Sequence, residues 1–115
     1  MKTLNRTVMI LRPNHPWLKW AAECFGETIE DVLEQMSGDE NAYLLPDTPD
    51  GDVDDAFLRK MHKRLFEEEL EGWCTDKKKW PKSRAYPVFR EWFELELHTL
   101  VFDLGQEPLR LEEEG

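Results

Sequence analysis

The spacing of apolar positions changes period several times along the chain. Thr7 to Leu11 (TVMIL) is a continuous apolar run closed by Arg12-Pro13, which predicts a strand buried on both faces and therefore central in its sheet. Asn14 stands where a helix cap belongs, with Pro16 in the first turn. Trp17, Trp20, Ala21, Cys24 and Phe25 then recur at helical spacing until Gly26 stops the run. Thr28 and Asp31 form a capping box ahead of a short amphipathic helix carrying Ile29, Val32, Leu33 and Met36. Ser37-Gly38-Asp39 predicts a turn, Ala42 to Leu45 a short strand closed by Pro46, and Asp47 to Gly51 a loop.

The clearest element is a helix from about Asp54 to Glu71, with Phe57, Leu58, Met61, Leu65 and Phe66 on one broad face. Gly72 is expected to stop it, with Trp73 folding back on the last turn. Residues 74–85 are irregular. Pro87 opens a further helix carrying Phe89, Trp92 and Phe93. Phe93 to Leu104 has a period close to two but also continues a helical face through Glu96, Leu97 and Leu100. The expectation is helix to about Leu97, then strand from Thr99 to Leu104. Strands separated by helices predict one α/β layered domain over 1–115, with α+β as the alternative: a small sheet of three or four strands covered by helices. Residues 106–115 read as a frayed acidic tail ending in Glu112-Glu113-Glu114.

Charge changes this picture. The chain has 115 residues and a formal net charge of -10, which implies a soluble surface and opposes nucleic acid and anionic membranes. The exception is the segment Leu70 to Phe93, where Trp73, Trp80 and Trp92 stand beside Lys77, Lys78, Lys79, Lys82 and Arg84. Aromatics beside cations make either a docking surface or a structural belt. Glu67, Glu68, Glu69 and Glu71 crowd the C-terminal end of the preceding helix, where the dipole disfavours acids, so the lysine run has an internal role open to it as well. The binding candidates are Trp73, Lys79, Trp80, Lys82 and Arg84.

Glu69 falls within the arc of Leu58, His62 and Leu65, and Glu96 within that of Phe89, Trp92 and Phe93 if the segment is helical. A carboxylate in an apolar arc must be paired, protonated or bound. Arg12, His62, Glu69, Glu96 and His98 are therefore buried polar candidates, with a structural ion pair preferred over metal because Glu-x-x-His is absent. Asp50, Asp52, Asp54 and Asp55 fail the EF-hand pattern and suit a helix N-terminus. No nucleophile elbow, P-loop or GxGxxG occurs, so no catalytic residue, metal or cofactor is expected. Cys24 and Cys74 lack metal spacing and read as reduced, buried thiols. The N-terminal apolar run is too short for a signal or a membrane span, which points to the cytoplasm.

The spaced series Ile10…Arg12-Pro13…Pro16…Trp20, Ala42-Tyr43-Leu44…Pro46, Gly72-Trp73…Trp80-Pro81…Arg84 and Trp92-Phe93…His98…Val101-Phe102-Asp103-Leu104 resembles a family of small bacterial proteins of unassigned function. The resemblance covers nearly the whole chain. It implies a bacterial cytoplasmic setting, and it brings no activity and no site residues. Three readings stand: a non-enzymatic protein-binding or regulatory module, monomer or homodimer, touching an unknown protein partner through the 73–84 belt; an acidic inhibitor or immunity-type protein blocking a basic partner; and a small metal-dependent enzyme using Glu69, Glu96, His62 and His98.

Overall fold

The computed structural model describes residues 2–36, 38, 40–47 and 52–112. Ser37 and Asp39 of the expected turn, most of the 47–51 loop including Asp50, and Glu113 and Glu114 lie outside the described residues. The elements are β1 (Lys2–Thr3), β2 (Val8–Pro13), α1 (His15–Cys24), α2 (Ile29–Met36), β3 (Ala42–Leu44), α3 (Asp55–Trp73), α4 (Tyr86–Trp92), β4 (Phe93–His98) and β5 (Phe102–Asp103), with a 3-10 turn at Lys77–Lys79. Among the described residues the strands form a three-stranded sheet of order β3-β2-β4 and a two-stranded β1-β5 ribbon. Every pairing is antiparallel, so the fold is mixed α+β rather than a parallel α/β arrangement.

The apolar run at 8–11 is the central strand, as its composition predicts. Met9 and Leu11 enter the helical core, while Val8, Ile10 and Arg12 alternate to the half-exposed face. Thr28 and Asp31 satisfy each other's main-chain N–H groups at 3.0 and 3.1 Å ahead of α2. At α3 the Asp54 carboxylate accepts from the Phe57 N–H at 2.9 Å. Asp55, one residue on, binds Arg59 and the Tyr86 hydroxyl. Asp54 and Asp55 therefore serve the helix start.

Two element boundaries differ from expectation. Gly72 does not stop α3, which runs on to Trp73, and its φ is not in the left-handed region. Tertiary anchoring outweighs glycine's poor helix propensity here. The Trp73 indole donates to the Ala21 carbonyl at 3.0 Å and packs edge-on to Trp17, and the Cys74 N–H closes the last turn onto Leu70 at 2.8 Å. The second difference lies at 93–98, which is strand where helix to Leu97 was expected. Phe93 to His98 pair residue by residue with Pro13 to Val8, and the two-residue period wins because it gives the second edge of β2 its hydrogen-bonding partner. The expected strand over 99–104 shrinks to Phe102–Asp103. Residues 106–112 carry no helix or strand.

The core joins Met9 and Leu11 of the sheet to Trp17, Trp20 and Ala21 of α1, to Leu65, Phe66 and Leu70 of α3, and to Phe89 and Phe93. Phe66 meets Phe89, Trp92 and Phe93 with ring centroids 5.3–5.9 Å apart.

Candidate functional site

The aromatic content of the 73–84 belt is turned inward. Trp80 is 9% exposed, and its indole donates to the Cys74 carbonyl at 2.8 Å. Trp73 is half-buried. Arg84 is half-buried too: it donates to the Pro81 carbonyl at 3.0 Å, lies over the Trp80 ring and comes within 3.6 Å of Glu67. Lys79 donates to the Cys24 carbonyl at 2.9 Å, at the C-terminal end of α1, where a cation suits the helix dipole. Among the described residues no ion pair joins Lys77, Lys78 or Lys79 to Glu67–Glu71; Arg84 alone meets that acidic end. Lys77 lies over Trp80, whereas Lys82 is exposed. The belt thus holds α1 against the end of α3.

None of the five polar candidates is fully buried. Arg12, His62, Glu69 and Glu96 are half-buried and His98 is exposed; for Arg12, Glu96 and His98 this follows from their place on the open face of the sheet. Arg12 bridges Glu40 at 3.0 Å and Glu96 at 2.9 Å, and His98 meets the other oxygen of Glu96 at 2.8 Å. The hydrogen bonds from His98 and then Arg12 hold the Glu96 carboxyl below its ordinary range. His62 bonds the Arg59 carbonyl of its own helix and packs on Tyr86 and Phe89. So Arg12, Glu96 and His98 come together, and His62 and Glu69 stand apart from them. Among the described residues no group of three or more His, Cys, Asp or Glu is placed to hold a metal.

Glu69 has a different setting. It lines a cavity of about 290 Å³ bounded by α1, α2, α3 and the sheet, with walls that include Trp17, Trp73, Gln35, Glu40, Asn41 and Gly72. Glu69, Gly72 and Trp73 share one face of α3 because they are spaced three and four residues apart. Asn41 donates to Oε2 of Glu69 at 3.1 Å. Oε1 is buried and has no partner within hydrogen-bonding geometry, although the Tyr43 phenol stands close enough to act on the carboxyl. Burial pushes the Glu69 carboxyl up to about 7, with nearby Glu68 adding to the rise. Among the described residues no cation pairs with it, whereas Glu40 in the same cavity is held by Arg12.

Trp17 lines the cavity as well and is 3% exposed. Its Nε1 is buried without an acceptor. Trp20, Trp73 and Trp80 all donate to main-chain carbonyls at 2.8–3.0 Å, so the fold can satisfy indoles and leaves this one open. Gly72 completes the wall. A Cβ built there would meet nothing within 4 Å, so packing does not require glycine at this helical position.

Sequence reasoning found Glu69 and Trp73 but missed Trp17, Gly72, Asn41 and Glu40. The available signal was a glycine inside a helical pattern beside a carboxylate and a tryptophan on one face. A wider depression of about 580 Å³ beside Leu100, Phe102 and Leu104 is apolar and open and has no unpartnered polar atom among its described residues. No helix is long and apolar enough to cross a membrane among the described residues. Comparison with protein-family models, curated proteins and solved structures gives no match.

Proposed function

We propose that this protein is a non-enzymatic binding module whose recognition element is the Trp17–Glu69–Trp73 cavity. The observation that carries the reading is that Glu69 and Trp17, two residues lining one cavity, each hold a buried polar atom, Oε1 and Nε1, without a hydrogen bond among the described residues. A buried polar group without a partner costs about 1–3 kcal/mol, so a bound ligand would recover that loss for both. The cavity's volume is just under the roughly 300–1,000 Å³ of small-molecule sites and fits one side chain better than a nucleotide. The belt serves this site by fixing Trp73 against α1. Two free, buried thiols support a reducing, cytoplasmic setting. Burial and the neighbouring Cys74 thiol push Cys24 up to about 11, which keeps it protonated and unreactive at neutral pH.

The test is a fragment screen with neutral, acidic and basic members, read on the indole N–H resonances of Trp17 and Trp73. At least one class should shift both resonances in the native protein and neither in Gly72→Leu, whose side chain would occupy the cavity. The blocking variant should stay folded, because Gly72→Ala itself should raise stability by about 0.5–1 kcal/mol in a helical position with free space. Shifts that persist in Gly72→Leu, or no shift with any class, would refute the reading.

A further inference from the structure

We infer that the cavity receives a positively charged side chain, lysine or arginine, carried on a peptide segment of a basic protein. The inference rests on the cavity being a binding site, and it adds the chemistry of the occupant. Glu69 carries the argument first. Among the described residues no cation pairs with this lining carboxylate, whose Oε1 has no hydrogen bond of good geometry and only the Tyr43 phenol near it. An anionic ligand would face Glu69 and Glu40 together, inside a chain of net charge -10. A neutral apolar ligand would leave both buried polar atoms unsatisfied.

The aromatic walls act in the same direction. Trp17 and Trp73 stand edge to face with centroids 5.5 Å apart, so two indoles flank the space beside the carboxylate. Ammonium and guanidinium groups are attracted to tryptophan faces, most strongly when desolvated. The Trp73 indole nitrogen is occupied by the Ala21 carbonyl, which leaves its ring as the contact it can offer.

Trp17 then distinguishes a peptide from a free amine. Its N–H needs an acceptor, and a simple alkylammonium has none. A lysine or arginine within a peptide brings a main-chain carbonyl next to the cation. Gly72 is consistent with close approach of a main chain, because the absence of a Cβ leaves space on the helix surface that packing does not use. The long-range field of an acidic protein would also steer a basic partner towards it.

The probes are acetyl-lysine methylamide, acetyl-arginine methylamide, acetyl-norleucine methylamide as the uncharged isostere, and butylammonium as the free amine. Each is titrated into isotope-labelled full chain, with the Trp17 and Trp73 indole resonances as readout. The lysine or arginine amide should shift both resonances saturably. Added salt should weaken the effect, and Glu69→Gln should weaken it about ten- to hundredfold, the scale of a hydrogen bond to a charged group. Norleucine amide binding as well as lysine amide, with Glu69→Gln unchanged, would overturn the cation and leave the cavity as an apolar binding site. Butylammonium binding as tightly as the lysine amide would overturn the peptide source. If none of the four probes moves either resonance while other fragments do, the occupant is of another chemistry and this inference falls alone. If no fragment of any kind binds, water serves the two groups and the binding-site reading falls with it.

Discussion

Replacing Glu69 by glutamine should stabilise the protein, and by an amount that grows with pH. The carboxyl is held at about 7 in the folded chain, against an ordinary value near 4.5, chiefly because burial disfavours the charged form. Between those two values the folded state keeps a proton that the unfolded state has lost. Stability therefore falls as pH rises from about 4.5 to about 7 and is level above. Each unit of pKa displacement is worth about 1.4 kcal/mol, so the full loss is about 3 kcal/mol at pH 8 and under about 1 kcal/mol at pH 5. Glutamine has no such ionisation and can keep the contact with Asn41. The measurement is urea unfolding of both proteins at half-unit steps from pH 5 to pH 9, with the variant-minus-native difference plotted against pH. That difference should climb by about 2 kcal/mol between pH 5 and pH 8, then flatten. Asp31, Asp55 and Glu96 have carboxyls held below their ordinary values, so they contribute stability that is lost on the acid side. They are present in both proteins and cancel in the difference. Parallel pH profiles, or a variant less stable at pH 8, would show that Glu69 is not strained as described.

The belt and its cations give two more tests. Trp80→Ala removes a buried indole and its bond to the Cys74 carbonyl, and should cost about 3–5 kcal/mol; a thermal melt within a degree or two of the native protein would place Trp80 on the surface instead. Neutralising Lys78 alone should change stability by less than about 0.5 kcal/mol at low salt, because it is not joined to the Glu67–Glu71 end by an ion pair among the described residues; a larger, salt-sensitive loss would restore that pairing.

Legibility followed the range of the interaction. The central strand at 8–11, the Thr28–Asp31 box and the Asp54 cap are set by patterns within a few residues, and they stand where the sequence puts them. Glu69 was visible too, because a helical wheel places it among apolar neighbours without tertiary information. The switch from α4 to β4 at Phe93 was not visible. Phe93 to Leu97 satisfies both periods, and the choice is made by the free edge of β2, eighty residues earlier in the chain. The cavity was hidden for the same reason. Trp17 reads as an ordinary core tryptophan, and only the packing of α1 on α3 reveals that its nitrogen lacks an acceptor.

Three departures from ordinary protein chemistry meet in one place. Among the described residues a half-buried carboxyl has no cation, a buried indole has no acceptor, and a glycine occupies a helical position whose packing would accept alanine. Each is unfavourable alone, and each could be removed by one conservative substitution. Defects tolerated at random would be scattered over the fold. Here all three line the same 290 Å³ of space. The other buried side-chain polar atom without a hydrogen bond among the described residues, Arg84 Nε, shows the contrast: it has Glu67 at 3.6 Å, and its own guanidinium is tied to Pro81. Local rules are broken together where a site needs them broken, and on the proposed reading the stability forgone is what a bound partner would restore. If that is the origin of the cluster, the stabilising changes and the binding-deficient changes should be the same ones. Glu69→Gln and substitution at Gly72 should each make the fold firmer and the site weaker. A variant that gained stability at either position while keeping full affinity for the lysine amide would break the link.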